Sequence, residues 1–111
     1  MVRGMSWYVN YLANTLRRKY GVLGRVAARY VKAGFSVRVL KDVIVAQGKG
    51  MKYVITAAEN PKEAVRLGSR VIEVAGKLGG VPVVALYGRA RWGPIIGELR
   101  GIGVRVKLVR G

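Results

Sequence analysis

The chain has 111 residues, with 21 lysines and arginines against five aspartates and glutamates, and its formal net charge at pH 7 is +16. About half of the residues (51%) are hydrophobic, so the composition predicts one folded domain and excludes a disordered basic tail. Because histidine and cysteine are absent, the chain offers no imidazole base, no thiolate nucleophile and no zinc site of the usual kind.

The positive charge begins at the start of the chain. The first acidic residue is Asp42, and residues 1–41 contain nine lysines and arginines. A charge of this size cannot be neutralised within the chain, and it repels itself unless a polyanion shares the surface. The composition therefore predicts nucleic acid as the partner.

The apolar segments of the sequence are short. The longest uninterrupted one, 81–87, is far below the roughly 20 residues that a bilayer-spanning helix needs, and residues 1–20 lack the pattern of a secretion signal. We therefore expect a cytoplasmic protein with no membrane partner. Cysteine is absent and asparagine and glutamine are scarce, a composition typical of thermophilic proteins.

The first 40 residues predict two helices and a strand. Apolar residues recur at three- and four-residue spacing in 7–19 and again in 22–33, with Gly21 between the two segments, which indicates two amphipathic helices. Residues 35–40 alternate between apolar and polar side chains, the pattern of a half-exposed strand.

The middle of the chain predicts a hairpin followed by a helix. The apolar segments 43–46 and 52–56 flank a glycine-rich turn, which is typical of two paired strands. Asn60 and Pro61 then mark a helix start, with Glu63 at the capping-box position. We expect this helix to end near residue 78.

The last third of the chain predicts a buried strand, a short helix and a final strand. Residues 81–87 are apolar throughout, as in a strand covered on both faces. A helix is expected at 94–100 and a strand at 104–109, where Arg105 and Lys107 alternate with apolar residues. The predicted order is α-α-β-β-β-α-β-α-β, an α/β fold.

Four features in chain order match a known family. Residues 33–35 lead into the first strand, Asp42 precedes an apolar strand, 48–50 form the hairpin turn, and 81–86 precede a turn rich in glycine and arginine. In these features and in its order of elements, the chain resembles the PD-(D/E)xK nuclease superfamily, nearest to Mrr-type restriction enzymes and archaeal Holliday junction resolvases.

The resemblance implies a single domain over residues 1–111. Its restriction-endonuclease-like core (α-β-β-β-α-β followed by α-β) covers 22–109, and residues 1–20 form an extra N-terminal helical extension. Since resolvase-like nucleases usually dimerise, the resemblance also implies a possible homodimer.

The metal-binding motif of that family is degenerate in this chain. The family's aspartate corresponds to Asp42, but Thr56 and Ala58 occupy the places of its glutamate and lysine, and no acidic residue precedes Asp42. Mg²⁺ is normally held by one or two carboxylates together with phosphate. The resemblance therefore implies an inactive nuclease scaffold with no catalytic residue, metal or cofactor. The alternative is a residual Mg²⁺-dependent nuclease that uses Asp42 and Glu59.

Residues 53–97 offer a competing resemblance. An apolar strand, the sequence Ala-Glu-Asn-Pro, a helix, Gly-Val-Pro-Val-Val and a glycine-ended turn resemble the second half of the L7Ae/L30e family of RNA-binding proteins. That family has a full helix between the strands that correspond to 43–46 and to the segment beginning at Lys52, where this chain has only turn residues. We therefore favour the nuclease-like topology and DNA binding, with an RNA-binding ribosomal or ribonucleoprotein-type module as the alternative.

The candidate nucleic-acid-binding residues are basic side chains on predicted exposed faces, with one aromatic neighbour. They are Arg17, Arg18, Lys19, Arg25, Arg29, Lys32, Lys49, Lys52, Arg89, Arg91 and Trp92. Basic residues that share a helix face or flank a glycine-rich turn suit phosphate contacts, although each group is also compatible with a solvated surface or, for 17–19, with a helix C-terminus.

The aromatic residues allow two interpretations. Beside Arg89 and Arg91, an exposed Trp92 would stack on unpaired bases, whereas a buried Trp92 would close the edge of the core. Trp7, Tyr8 and other aromatic residues of the first predicted helix would either pack on the domain or form a dimer contact.

Overall fold

The structure is a computed structural model that describes the backbone of residues 2–109 and the side chains of residues 7–109. The elements are α1 (Val2–Lys32), β1 (Ser36–Leu40), β2 (Val43–Gly48), β3 (Met51–Ala58), α2 (Pro61–Leu78), β4 (Val81–Tyr87), α3 (Gly93–Gly101) and β5 (Arg105–Val109). Three helices and five strands make an α/β fold, which confirms the class predicted from the sequence.

The five strands form one mixed sheet in the order β1-β2-β3-β4-β5. The first three are antiparallel neighbours, and the turn between β2 and β3 places Lys49 and Gly50 at positive φ (52° and 76°), as tight hairpin turns require. β4 and β5 run parallel to β3, because each is reached through a crossover helix.

Alternation along the strands creates a core on each face of the sheet. Val43 and Val45 of β2 face the side covered by α2 and α3, while Ile44 and Ala46 face the side covered by α1. Successive side chains of a strand point to opposite faces, so a central strand with four consecutive buried residues serves both cores. The result is three layers, with helices above and below the sheet.

Local signals explain the bounds of α2. The Asn60 side chain accepts a hydrogen bond from the Glu63 backbone N–H at 3.1 Å, and Pro61 begins the helix. At the other end, Gly79 has φ 73° and its N–H donates to the carbonyl of Ala75, the left-handed cap that glycine favours. The predicted start and end of this helix are confirmed.

α1 consists of two helical halves that meet at a sharp kink, as the two predicted helices required. Gly21 interrupts it with φ 60° and ψ −128°, at the position where the sequence predicted a break. A Cβ atom at Gly24 would overlap the carbonyl oxygen of Leu16, so the two halves of α1 pack closely. Leu16 lies in the same cluster as Val26 and Tyr30, which means that the N-terminal half contributes to the core.

The length of α1 raises the question of a membrane span. Its described side chains include the consecutive basic residues Arg17, Arg18 and Lys19. Within residues 2–109, no helix combines the length and the apolar character needed to cross a membrane.

Candidate functional site

Two pockets lie near opposite ends of the parallel strands. The first is at the carboxyl end of β3, has a volume of about 240 Å³, and is lined by Asp42, Thr56 and Glu59. Tyr20 and Leu23, on either side of the α1 kink, also contact it. We call the Asp42, Thr56 and Glu59 site the carboxylate pocket. It contains the two acidic residues that the residual-nuclease hypothesis requires.

Two of the three polar side chains that define the carboxylate pocket, Asp42 and Thr56, have partners within the protein. A carboxylate oxygen of Asp42 lies 3.6 Å from Nε of Arg70, and Nη1 of Arg70 lies 3.3 Å from Oε1 of Glu73. The Thr56 hydroxyl, in a residue that is only 1% exposed, donates to the backbone carbonyl of Asp42 at 3.0 Å. Asp42 therefore faces a guanidinium, and the Thr56 hydroxyl already donates its hydrogen bond within the protein.

The other residues to which the resemblance assigned motif positions do not complete a metal site. Ala58, which the resemblance aligned with a lysine, is buried in the core beneath α2. Across residues 7–109, the histidine, cysteine, aspartate and glutamate side chains form no group of three or more that could hold a metal ion. A hard cation prefers several oxygen ligands, and the described side chains here supply at most Asp42 and Glu59.

The second pocket is a basic cleft near the amino ends of β4 and β5. Its volume is about 380 Å³. We call it the basic cleft and define it by three cationic side chains and three aromatic rings: Arg29, Arg105, Lys107, Tyr30, Phe35 and Tyr53. These residues come from α1, β3, β5 and the segment that enters β1, so the cleft exists only when the sheet and α1 are assembled.

Strand register brings the cations to this position. Arg105 pairs with Val83 and Lys107 pairs with Ala85 across the parallel β4 and β5 strands. Val83 and Ala85 belong to the core beneath α1, and residues in register on neighbouring strands share a face. Both basic side chains of β5 therefore project towards α1, where Arg29 lies.

The three rings of the cleft contact one another. The Tyr30 and Phe35 centroids are 5.5 Å apart with nearly perpendicular planes. Tyr53 lies 5.8 Å from Phe35 and 6.0 Å from Tyr30, measured between centroids. Tyr30 is 8% exposed, whereas Phe35 and Tyr53 are half-buried. Tyr30 thus forms the floor, and the other two rings reach the opening.

Burial changes the protonation properties of two groups in the cleft. The Lys107 ammonium lies 4.7 Å from the Tyr30 centroid, and burial, with a further effect of Arg29, lowers the pKa of Lys107 below its usual value. Burial and then Tyr53 raise the pKa of Tyr30, while Arg105 opposes that change. Lys107 is therefore a partly desolvated cation beside another cation, an arrangement that an anion would relieve.

Few basic residues have a carboxylate partner. Arg70 makes both of the ion pairs found among the side chains of residues 7–109. Every other lysine and arginine in that part of the chain, including the cations of the basic cleft, forms no ion pair. The excess positive charge is thus left at the protein surface, and the basic cleft collects three of these cations around a concavity.

No match to this chain is found among protein-family models, curated proteins or solved structures. The functional interpretation therefore depends on the chain's own geometry, and first on where the structure places the residues that were predicted to bind nucleic acid.

Several predicted binding residues lie in or beside the basic cleft. Arg29 lines it, and Lys32 is exposed one helical turn further along α1. Lys49 lies with its ammonium 5.5 Å from the Phe35 centroid, at the rim. Arg25 is exposed on the same half of α1. Lys52 differs, because its ammonium donates to the Leu78 carbonyl at 3.2 Å and so helps to end α2.

Other predicted residues lie away from the cleft. Arg17, Arg18 and Lys19 are exposed before the α1 kink, and Arg17 donates to the Asn14 side chain at 3.1 Å. Arg89 is exposed after the carboxyl end of β4, at the opposite end of the strands from the cleft. Arg91 is exposed on the same segment.

Trp92 is a core residue. It is 6% exposed, it packs in the cluster beneath α2 and α3, and its indole N–H donates to the Gly88 carbonyl at 3.4 Å. Of the two interpretations of Trp92, the structure shows the buried one, and the indole is not exposed beside Arg89 and Arg91, because a large apolar ring at the start of α3 gains more from burial. By contrast, Trp7 is 69% exposed and stacks on Tyr11 at 5.8 Å.

Sequence reasoning missed Arg105, Lys107 and the aromatic rings of the cleft. The alternation of basic and apolar residues in the last strand was visible, and it indicates that both basic side chains share one face. The sequence did not indicate which face that is, or that β5 would lie beside β4 with Arg29 above it. The missing information was the order of strands in the sheet.

Proposed function

We propose that this protein binds nucleic acid through phosphate contacts with limited sequence readout, and that DNA is its preferred partner over RNA. The observation that carries this proposal is the lack of carboxylate partners for the cations of residues 7–109, Arg70 excepted. In a chain of net charge +16, such a surface attracts a polyanion over a distance of several ångströms. Phosphate contacts are the sequence-independent part of nucleic-acid binding.

We also propose that the scaffold is a restriction-endonuclease-like core without nuclease activity. The order α-β-β-β-α-β-α-β and the place of Asp42 at the start of β2 support this assignment. The pairing of Asp42 with Arg70, the engagement of Thr56 by the backbone and the burial of Ala58 support the loss of catalysis. A site for activating water would need a carboxylate pair and a nearby cation directed at the substrate.

The proposed binding surface is centred on the basic cleft. Arg25 and Lys32 extend it along α1, and Lys49 extends it across the turn between β2 and β3. Each exposed cation that contacts a phosphate releases bound counterions from the nucleic acid. The proposed affinity therefore comes from many individually weak contacts and depends strongly on salt.

A salt titration tests this function. Fluorescence anisotropy of labelled duplex DNA is measured with the full chain between about 50 and 200 mM salt. Three or more phosphate contacts give a log–log slope of about −2.7 or steeper, at about −0.9 for each contact on duplex DNA. An affinity that is nearly independent of salt, or no binding at the lowest salt, would contradict the proposal. Structured RNA in competition at equal salt tests the preference for DNA.

One observation favours a second candidate function. Asp42 and Glu59 line the same pocket, as the residual-nuclease hypothesis requires. Incubation of branched or nicked DNA with the protein and Mg²⁺ tests it, with Asp42→Ala as the control. We expect no cleavage by either protein. Cleavage that is lost in Asp42→Ala would overturn the inactive scaffold and assign the carboxylate pocket a catalytic role.

A further inference from the structure

The basic cleft contains more than a phosphate-contacting surface requires. Contacts to a duplex backbone need exposed cations, and exposed cations occur widely in this chain. The cleft adds a concave volume of about 380 Å³ and a floor of three mutually packed rings. Its volume is at the small end of the roughly 300–1,000 Å³ typical of small-ligand sites. A ligand that uses all of these features has one flat aromatic part and one anionic part.

We propose that the basic cleft holds one unpaired nucleotide of a DNA strand, with the base against Tyr53 and Phe35 and a phosphate at Arg29, Arg105 and Lys107. This inference rests on the proposed nucleic-acid function and adds a preference for single-stranded over duplex DNA. The bases of an intact duplex are stacked and paired inside the helix, so they cannot enter a cleft of this size. Stacking on aromatic side chains is a common way to hold unpaired bases.

The aromatic part of the site is directed towards the opening. Tyr30 is almost fully buried, while Phe35 and Tyr53 are half-buried. The Lys49 ammonium lies over Phe35, on a turn residue that is otherwise exposed. Tyr53 is therefore the ring with the freest access to a base, and it contacts Phe35 and Tyr30 at 5.8 and 6.0 Å between centroids.

The cationic part of the site lacks an anion. Lys107 is partly desolvated over the Tyr30 ring and lies near Arg29, and no carboxylate of residues 7–109 pairs with Lys107, Arg29 or Arg105. Like charges held together in a partly buried place repel, and a phosphate between them replaces that repulsion with charge-assisted hydrogen bonds. A neutral aromatic ligand would leave the partly desolvated Lys107 without an anionic partner.

The test compares matched DNA ligands on the full chain. Labelled oligo-dT of 20 nucleotides is compared by anisotropy with a blunt two-stranded duplex that has about the same number of phosphates and no unpaired loop, at about 100 mM salt. One stacked base predicts a preference for the single strand of about five- to a hundredfold. Unlabelled dTMP is added as a competitor, because a free nucleotide carries the same base and phosphate.

Two variants test the two parts of the site. Tyr53→Leu keeps an apolar side chain but removes the ring, and we expect it to lower single-strand affinity at least fivefold while duplex affinity changes less than twofold. Tyr11→Leu is its control, because Tyr11 is exposed on the other half of α1. Lys107→Gln is expected to weaken single-strand binding more than Lys77→Gln, which removes an equal charge from α2.

A further measurement needs no variant. An oligo-dT with one 2-aminopurine reports stacking, since its fluorescence falls when the base stacks. We expect quenching on binding to the wild-type protein. This measurement tests base stacking even if the Tyr53→Leu chain fails to fold.

The outcomes separate this inference from the proposed function. Salt-dependent binding with equal affinity for single strand and duplex, unaffected by Tyr53→Leu and without quenching, would overturn the nucleotide site and leave phosphate binding in place. If dTMP competes at the same concentration as oligo-dT, the cleft binds a free nucleotide. That result would overturn the proposal that the nucleotide belongs to a DNA strand. Tighter binding of single-stranded RNA would overturn the assignment to DNA. No binding to any ligand at low salt would overturn both proposals.

Discussion

The carboxylate pocket and the basic cleft lie near opposite ends of the same parallel strands, and they differ in how their charges are satisfied. In the carboxylate pocket, Asp42 pairs with Arg70 and Thr56 bonds the backbone. In the basic cleft, Arg29, Arg105 and Lys107 have no carboxylate partner among the side chains of residues 7–109. Buried polar groups of folded proteins normally find partners within the chain. Lys107 is partly desolvated and has no such partner among residues 7–109, so an external anion is its natural partner.

The sequence motif and the basic cleft also differ in what their side chains do. The nuclease-like positions contain the first acidic residue of the chain, yet Asp42 pairs with Arg70 of α2 and Thr56 of β3 bonds the Asp42 carbonyl. The cleft was not marked by any motif, yet it combines rings, cations and a concave shape. In the proposed function, contact with nucleic acid is therefore centred near the amino ends of β4 and β5, and not at the carboxylate pocket.

The largest effect is expected at Gly24, which lies between the two pockets along α1. A Cβ atom there would overlap the Leu16 carbonyl, so Gly24→Ala should lower the free energy of unfolding by about 3 kcal/mol, as overpacking does. Gly76→Ala is the control, because nothing lies near a Cβ at that position of α2 and alanine favours helix by up to about 1 kcal/mol. Urea unfolding measures both. Equal stabilities would show that the α1 halves do not pack as described.

The next largest effect distinguishes the three cations of the basic cleft from three cations elsewhere on the surface. The triple variant Arg29→Gln, Arg105→Gln and Lys107→Gln should lower DNA affinity by about 30- to 100-fold and make the salt slope shallower by about 2 to 3. The control removes equal charge from exposed α2 positions: Lys62→Gln, Arg66→Gln and Lys77→Gln. Anisotropy at several salt concentrations measures both variants. If the two triples weaken binding equally, the cleft has no special place in the interface.

A smaller effect tests the structural role of the carboxylate pocket. Thr56→Val removes the hydrogen bond to the Asp42 carbonyl and should cost about 1 kcal/mol of unfolding free energy, with DNA affinity unchanged within twofold. Thr15→Val is the control, because Thr15 bonds the Tyr11 carbonyl on the exposed surface of its own helix. Thermal and urea unfolding check the first expectation. A loss of DNA binding in Thr56→Val would instead place this pocket in the interface.

The smallest expected effect is a pH dependence of the free energy of unfolding that comes from Lys107 in the basic cleft. The pKa of Lys107 is lowered in the folded state, so between that value and the unfolded value the unfolded chain binds more protons. Its contribution to unfolding free energy therefore rises with pH across this interval. Lys107→Gln should make that slope shallower in urea unfolding measured at increasing pH below the ordinary lysine and tyrosine pKa values of about 10, and Lys77→Gln should keep it.

The upper pH limit excludes Tyr30, whose raised pKa gives the opposite slope at higher pH. A slope that is unchanged in Lys107→Gln would mean that another group, and not the desolvated lysine of the cleft, titrates in this range.

Short-range patterns in the chain predicted most of the elements. Asn60 and Gly79 bound α2 through their own local geometry, Gly21 breaks the α1 helix where the spacing of apolar residues is interrupted, and the alternation at 104–109 makes a strand. Each of these features depends on residues within a few positions of one another. The class α/β and the order of elements follow from them.

Individual side chains were harder to predict. Lys52 was predicted to contact phosphate, and in the structure its ammonium donates to the end of α2. The sequence left Trp92 either exposed or buried, and in the structure it fills the edge of the core. In both cases the deciding partner, the Leu78 carbonyl or the α2 and α3 core, becomes a neighbour only after folding. Composition and spacing describe what a side chain can do but do not identify its neighbours.

The basic cleft shows most clearly what the sequence determines and what only the tertiary structure determines. The chain's charge, +16 with no acid before Asp42, already points to a polyanion without any knowledge of the fold. The place of contact depends on Arg29, Tyr53 and Lys107, which are far apart in sequence and meet because β5 pairs in parallel with β4 while α1 crosses the same face. Net charge is a sum over residues and is independent of their positions, whereas a cleft requires a particular strand order and register.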